Sequence, residues 1–108
     1  WYLPARYELE IAYYNLKPTT ASNNTGYGIN AYSVPARGSN YTAGTPAQTT
    51  VTAFQTGNSE AFVAAYHWSS TEYSSTDAWA LFFIDGNQFN ASSETNILRV
   101  RAFRKLAL

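Results

Sequence analysis

The chain has 108 residues, equal numbers of basic and acidic side chains, 45% hydrophobic residues and no cysteine. That length suits one domain burying more than about 60% of the surface of its unfolded chain, and 13% charged residues is too few for a disordered tail. Zero net charge argues against nucleic acid and anionic membrane as partners, and the lack of Cys excludes disulfides, thiolate nucleophiles and zinc–thiolate sites. Nine Tyr among 17% aromatic residues favour contact surfaces as well as core, because Tyr joins apolar area to a polar tip. No run approaches the roughly 18 to 20 apolar residues of a membrane span, so no membrane insertion is expected. No signal peptide is present, and an opening on Trp1 fits a processed product or the C-terminal part of a longer chain.

In chain order, Pro4 to Leu16 reads as an amphipathic helix, with Leu9, Ala12, Tyr13 and Leu16 on one face. Glu8 and Glu10 fall in its early turns, Pro4 suits the first turn, and Pro18 stops it. From Lys17 to about Ser59 no period holds, so a long loop is expected, pinned by Tyr27, Ile29, Tyr32, Val34, Tyr41, Val51 and Phe54. Glu60 to Tyr66 reads as a short helix or turn that packs Phe62 and Val63. Strands follow at Tyr66 to Thr71, Ala78 to Ile84, Gln88 to Ala91 and Leu98 to Leu106, separated by turns that include Asp85-Gly86-Asn87. The sum is an α+β domain over 1–108, with one or two helices, a long loop region and a small antiparallel sheet.

Little of this specifies catalysis. His67 is the sole histidine and has no spaced partner, so it reads as structural. The carboxylates Glu60, Glu72, Asp77, Asp85 and Glu94 are scattered, and loop hydrogen bonds or pairing with Arg99, Arg101 and Arg104 account for them. Asp85-Gly86-Asn87 lacks the ligand spacing of a calcium loop, and no metal or cofactor is expected. On the last strand Arg99 and Arg101 share an outer face while Val100 and Ala102 face inward. Three Asn-X-Ser/Thr matches, beginning at Asn23, Asn40 and Asn90, are chance products of a chain rich in these residues.

The more informative pattern is a frame interleaved with arbitrary residues: Trp68-Ser69-Ser70-Thr71-Glu72, Ala78-Trp79, Gly86-Asn87-Gln88 and Arg99-Val100-Arg101-Ala102-Phe103-Arg104. With Trp1-Tyr2-Leu3-Pro4 and Glu8-Leu9 at the other end, this frame resembles the C-type-lectin-fold variable domains of diversity-generating retroelements, and related bacterial domains. The resemblance spans both ends and leaves the middle loop unmatched. It implies a C-type-lectin-like fold and a surface diversified by error-prone reverse transcription at template adenines, which reaches most residues but not Trp, Met, Lys, Gln or Glu. Tyr73, Ser74, Thr76, Asp77, Ala80, Phe82, Ile84, Phe89, Ala91, Ser92, Ser93 and Thr95 satisfy that rule and are the candidate ligand-binding residues. Trp79, Gln88 and Glu72 do not, and they fall in the frame; Glu94 requires a template lysine codon. The superfold also hosts calcium-dependent sugar binding and formylglycine-generating oxidation, but neither a Glu-Pro-Asn motif nor the oxidase's Cys is here.

Strand alternation sets Trp79, Leu81 and Phe83 against Ala80, Phe82 and Ile84, so if the first set is core the second is displayed, beside Tyr73 and Phe89. The alternative is a sheet buried on both faces. The resulting expectation is a non-enzymatic receptor-binding domain of a phage tail fibre or other virion adhesin, or of a bacterial surface. Its partner would be a host cell-surface protein or glycan, and it would act as a homotrimer or other homo-oligomer. A structural virion or filament subunit using its aromatic surfaces for assembly is the second reading. A hydrolase or lyase using Glu72, Asp77 and His67 is the third.

Overall fold

A computed structural model describes residues 1–92 and 98–104. Helix α1 covers Arg6–Leu16 and strands β1, β2 and β3 cover Tyr66–Glu72, Asp77–Phe82 and Gln88–Ser92. The strands form an antiparallel sheet in the order β1-β2-β3. This is the expected α+β plan with one α-helix.

α1 starts two residues later than Pro4. Ala5 is its N-cap and has no side-chain oxygen, so only half a capping box forms: the Ala5 N–H donates to Glu8 Oε1 at 3.0 Å. Pro4 lies before the helix, where its carbonyl accepts from the Ser70 N–H at 2.8 Å. Leu9, Ala12 and Tyr13 are buried against Tyr41, Phe62, Leu81 and Phe83, with Leu16 at the margin. Phe62 stacks on Phe83 at 4.5 Å, and Tyr13 meets Phe83 edge-on at 5.7 Å.

Between Trp68↔Ala80 and Glu72↔Ala78 the register gains extra residues on β1, which makes a bulge. Several polar groups there fasten neighbouring elements. Ser69 Oγ donates to the Trp79 carbonyl at 2.7 Å, the Ser70 N–H goes to Pro4, and Thr71 Oγ1 accepts from the Arg6 N–H at 2.8 Å. The Trp-Ser-Ser-Thr-Glu frame is thus the socket for the start of α1.

The loop region is held differently from its expected anchoring. Ile29, Tyr32, Val34 and Val51 are exposed, Val34 by 98%, and of the seven anchors only Tyr41 is buried, while Tyr27 and Phe54 pack at the core's edge. Polar side chains of α1 and its C-cap do the work instead. Fully buried Glu10 accepts from Asn30 Nδ2 at 2.7 Å, from both terminal nitrogens of Arg37 and from the Tyr41 hydroxyl. Buried Lys17 donates to Ala21 O, to Asn23 Oδ1 at 2.9 Å and to Pro46 O at 3.3 Å. Desolvation lowers the pKa of this ammonium, an effect opposed by the charge of Asp85. Asn23 is sealed in the same cage, with its amide donating to Pro46 O at 2.8 Å, so the first glycosylation match is structural.

Three further expectations are corrected. Of the helix or turn expected from Glu60 to Tyr66, no helix forms: a turn ends at Glu60, Phe62 is buried but Val63 is exposed, and a short 3-10 helix sits earlier, at Thr52–Phe54. Leu98 to Leu106 does not form one strand over its described part, because Arg99 bridges His67 in parallel while Phe103 bridges Tyr2 antiparallel, and a chain changing partners cannot extend either ladder. Residues 105 and 106 lie outside the described residues. Val100, 64% exposed, and Ala102 face outward; Phe103 packs at the core and Arg101 lies 4.6 Å above the Phe62 ring.

The β2–β3 turn closes with the Phe82 N–H donating to Asn87 O at 2.8 Å and the Asn87 N–H to Asp85 Oδ1 at 2.9 Å. Gly86 has φ +80°, and an added Cβ would lie 2.6 Å from the Tyr41 ring and 2.7 Å from Tyr13. Gly86→Ala is therefore expected to cost about 1–2 kcal/mol from the left-handed backbone and about 1–3 kcal/mol more from overpacking. Glu10→Ala strands the Arg37 guanidinium and is expected to cost about 3–5 kcal/mol. Urea unfolding measures both; a loss below about 1 kcal/mol in Glu10→Ala would show that the loop does not depend on this carboxylate.

Candidate functional site

The register divides the sheet's side chains into two sets. Leu81, His67 and Gln88 point towards α1 and are buried. Tyr66 opposite Phe82, and Ala80 between Trp68 and Phe89, occupy the outer face. There Tyr66 stacks on Phe82 with centroids 4.3 Å apart and meets Phe89 edge-on at 4.5 Å. Asn87 Nδ2 donates to the Tyr66 hydroxyl at 3.4 Å, and all four rings are half-buried. The parity of β1 placed Tyr66 and Trp68 together in sequence, but only the hairpin register shows that they join Phe82 and Phe89.

The twelve candidate residues do not form one patch. Phe82 and Phe89 meet around Tyr66, and half-buried Ile84 follows in the turn. Ala80 is 2% exposed, because its methyl lies between Trp68 and Phe89, so it cannot be displayed. Ala91, opposite Ala78, is equally buried. Tyr73, Ser74 and Thr76 are exposed in the β1–β2 turn, where Ser74 Oγ accepts from the N–H groups of Thr76 and Asp77. Tyr73 packs edge-on against Trp79 at 5.4 Å, on the helix-facing side, and so is separated from Phe82 and Phe89 by the sheet. Ser92 ends β3 with its side chain outside the described residues, as are Ser93 and Thr95.

Trp79, expected in the core beside Leu81 and Phe83, is only half-buried and carries the Arg6 guanidinium 3.7 Å above its ring. His67 is sealed between Phe62 and Phe83, with Nδ1 3.0 Å from the Ala65 carbonyl oxygen. Asp77 accepts from Asn90 Nδ2 at 3.1 Å, Asp85 is bound within its turn, and Glu60 pairs with Arg101 at 3.8 Å. Among the described residues no cluster of His, Cys, Asp and Glu could hold a metal, and no helix is long and apolar enough to cross a membrane. What the outer face offers is aromatic contact area with a phenol fixed at its centre.

No protein-family model, curated protein or solved structure matches the chain.

Burial lowers the His67 pKa, outweighing the Ala65 hydrogen bond that favours the charged ring, and Arg101 and Arg99 push the same way as burial. The unfolded chain therefore takes up this proton first. Stability is full above the unfolded value of about 6.5 and declines as pH falls from there towards the depressed folded value. The urea midpoint should drop between pH 7.5 and 5.5, and His67→Asn should flatten that slope; an equal slope in the variant would assign it to another group.

Proposed function

We propose that the chain is a non-enzymatic receptor-binding domain with a C-type-lectin-like fold, diversified by a retroelement and carried by a phage tail fibre or other virion adhesin. Its partner is a host-surface protein or glycan, and a homotrimer or other homo-oligomer fits that setting. One observation carries the reading: the sheet is fastened on its helix side, through Arg6, Gln88, Trp79 and the β1 bulge, while Phe82 and Phe89 sit on the other side and hold no part of that fastening. Outer side chains can then change without releasing α1. The rim near the turn, at Ser74 and Thr76, adds exposed hydroxyls. In this reading Ala80 and Ala91 leave the contact set and Tyr66 and Trp68 enter it.

Substitution tolerance tests this division. Phe82→Ala and Phe89→Ala should each cost about 1 kcal/mol, in keeping with half-burial, against about 3–5 kcal/mol for Phe83→Ala in the core. Ala80→Leu, beneath Trp68 and Phe89, should cost about 1–3 kcal/mol by overpacking. Phe82→Ala, Ile84→Ala and Phe89→Ala combined should abolish host attachment in a chain that still folds. Intact attachment, or a Phe82→Ala penalty as large as that of Phe83→Ala, rejects the outer face as the exchanged surface. In the neighbouring DNA, a reverse transcriptase and a near-copy of the Trp68–Arg104 coding region differing mainly at adenines would identify the retroelement.

A further inference from the structure

The chemistry left unassigned lies on the other side of the sheet, at Arg6. The side chain of this first residue of α1 crosses to the sheet, where Cζ lies 3.7 Å from the Trp79 ring centroid and 5.0 Å from that of Tyr7. Its Nε–H donates to Oε1 of buried Gln88 at 2.6 Å. Stacking fixes the plane of the guanidinium and the Gln88 bond fixes its rotation. The two terminal nitrogens have no hydrogen-bond partner among the described residues, and no carboxylate there pairs with Arg6. Arg37 and Arg101, by contrast, each have an acid. With Nε occupied, the end-on edge of the fork is left, which is the edge that accepts a carboxylate in two parallel hydrogen bonds.

Tyrosines pack against both rings that the guanidinium meets. Tyr7 packs against Tyr32, which is 73% exposed, at 5.3 Å, and Tyr73, 55% exposed, stands edge-on to Trp79. A depression of about 490 Å³ lies beyond Tyr7, lined by Ala5, Tyr7, Glu8, Ile11 and Tyr32; Arg6 is not part of that lining, and the Glu8 carboxylate there is held by the Tyr2 hydroxyl and the Ala5 N–H. Asp77, on the same face of β2 as Trp79, is hydrogen-bonded to Thr76 and Asn90 and forms no ion pair with Arg6. A polyanion or acidic peptide needs several cations, whereas a single oriented guanidinium among phenols matches a ligand with one carboxylate on a hydroxylated body. The fastening of α1 needs only Nε and the stacked face; the open fork exceeds that need.

We propose that Arg6, seated on Trp79 beside Tyr7, with Tyr73 packed on the same indole, is the carboxylate-binding group of a site for an acidic sugar, a uronic or sialic acid terminating a glycan. The site is separate from the aromatic outer face and does not depend on it.

The test is titration of the 108-residue chain with glucuronic acid and N-acetylneuraminic acid, followed by the indole N–H resonance of Trp79. Glucose and N-acetylglucosamine serve as neutral controls, and acetate as the bare carboxylate. At least one acidic sugar should bind saturably, with the neutral sugars and acetate at least tenfold weaker. Arg6→Lys keeps the charge but not the fork and should lose at least tenfold. Tyr73→Ala, at an exposed position that leaves folding intact, should weaken binding several-fold and covers the case in which Arg6→Lys does not fold. The Phe82→Ala/Phe89→Ala variant should bind the acidic sugar unchanged, which separates this site from the outer-face reading. No saturable binding, equal affinity for neutral and acidic sugars, acetate as tight as the acidic sugar, or full affinity in both Arg6→Lys and Tyr73→Ala would overturn the proposal.

Discussion

The Glu10 carboxylate is sealed from water on the inner side of α1, and both of its oxygens are taken by donors from the loop that follows. A buried charge is tolerable only when paired and hydrogen-bonded, so the loop segments carrying Asn30, Arg37 and Tyr41 must converge there or leave the carboxylate stranded. Their own backbones comply: Asn30 and Arg37 exchange both N–H···O bonds at 2.9 Å, and the Tyr41 N–H donates to Tyr27 O at 2.7 Å. Gly28 makes that approach feasible, since a Cβ there would lie 2.5 Å from the Tyr41 nitrogen. Burial and the adjacent carboxylate both raise the Tyr41 pKa, which keeps its hydroxyl a donor. About two turns further along, at the helix C-cap, Lys17 does the converse, a buried cation gathering the Ala21 and Pro46 carbonyls. Two opposite charges on one helix thus order a stretch that has almost no regular hydrogen-bond ladder of its own.

Helix and sheet are joined by the same logic at lower burial. The bulge in β1 removes backbone groups from the β1–β2 ladder and turns them towards α1, so the Ser70 N–H and Thr71 hydroxyl are available to Pro4 and Arg6. Arg6 then reaches past the bulge to Trp79 and Gln88. Cation–π contact of this kind contributes about 0.5–2 kcal/mol, and here it also sets a direction, because a stacked guanidinium has only its edges left for other partners. Of the frame residues read in the sequence, Pro4, Ser69, Ser70, Thr71, Trp79 and Gln88 close this joint.

How much of this was legible in the sequence follows from the range of each signal. The helix could be read because Leu9, Ala12, Tyr13 and Leu16 repeat at a local period, and the strands because apolar and aromatic residues cluster between turn residues. Glu10 reads in the sequence only as an acid in the early turns of the helix, because its partners are 20 to 31 residues away and no local rule pairs them. Aromatic size misled in the loop, where Tyr32 and Val34 looked like anchors although hydrogen bonding, not apolar area, fixes that region. For the candidate surface, alternation separated Leu81 from Phe82 correctly, but it could not reveal that small Ala80 lies under its large neighbours. Nor could it reveal that Tyr73, just past the end of β1, packs on Trp79, on the side away from Phe82. Parity is local, whereas burial depends on who sits across the register.

That distinction bears on how a surface can vary on this scaffold. A side chain on the outer face is exchangeable only if it is long enough to lie at the rim and is not the floor beneath others. Phe82 and Phe89 meet both conditions: their rings lean on Tyr66, and shortening either exposes a neighbour while leaving the helix side closed. Ala80 and Ala91 fail them. They are the floor, and their small size lets the rings above lie close to the sheet. In the proposed reading, the number of exchangeable positions is therefore smaller than the number of codons open to change, because packing selects against variation at the floor.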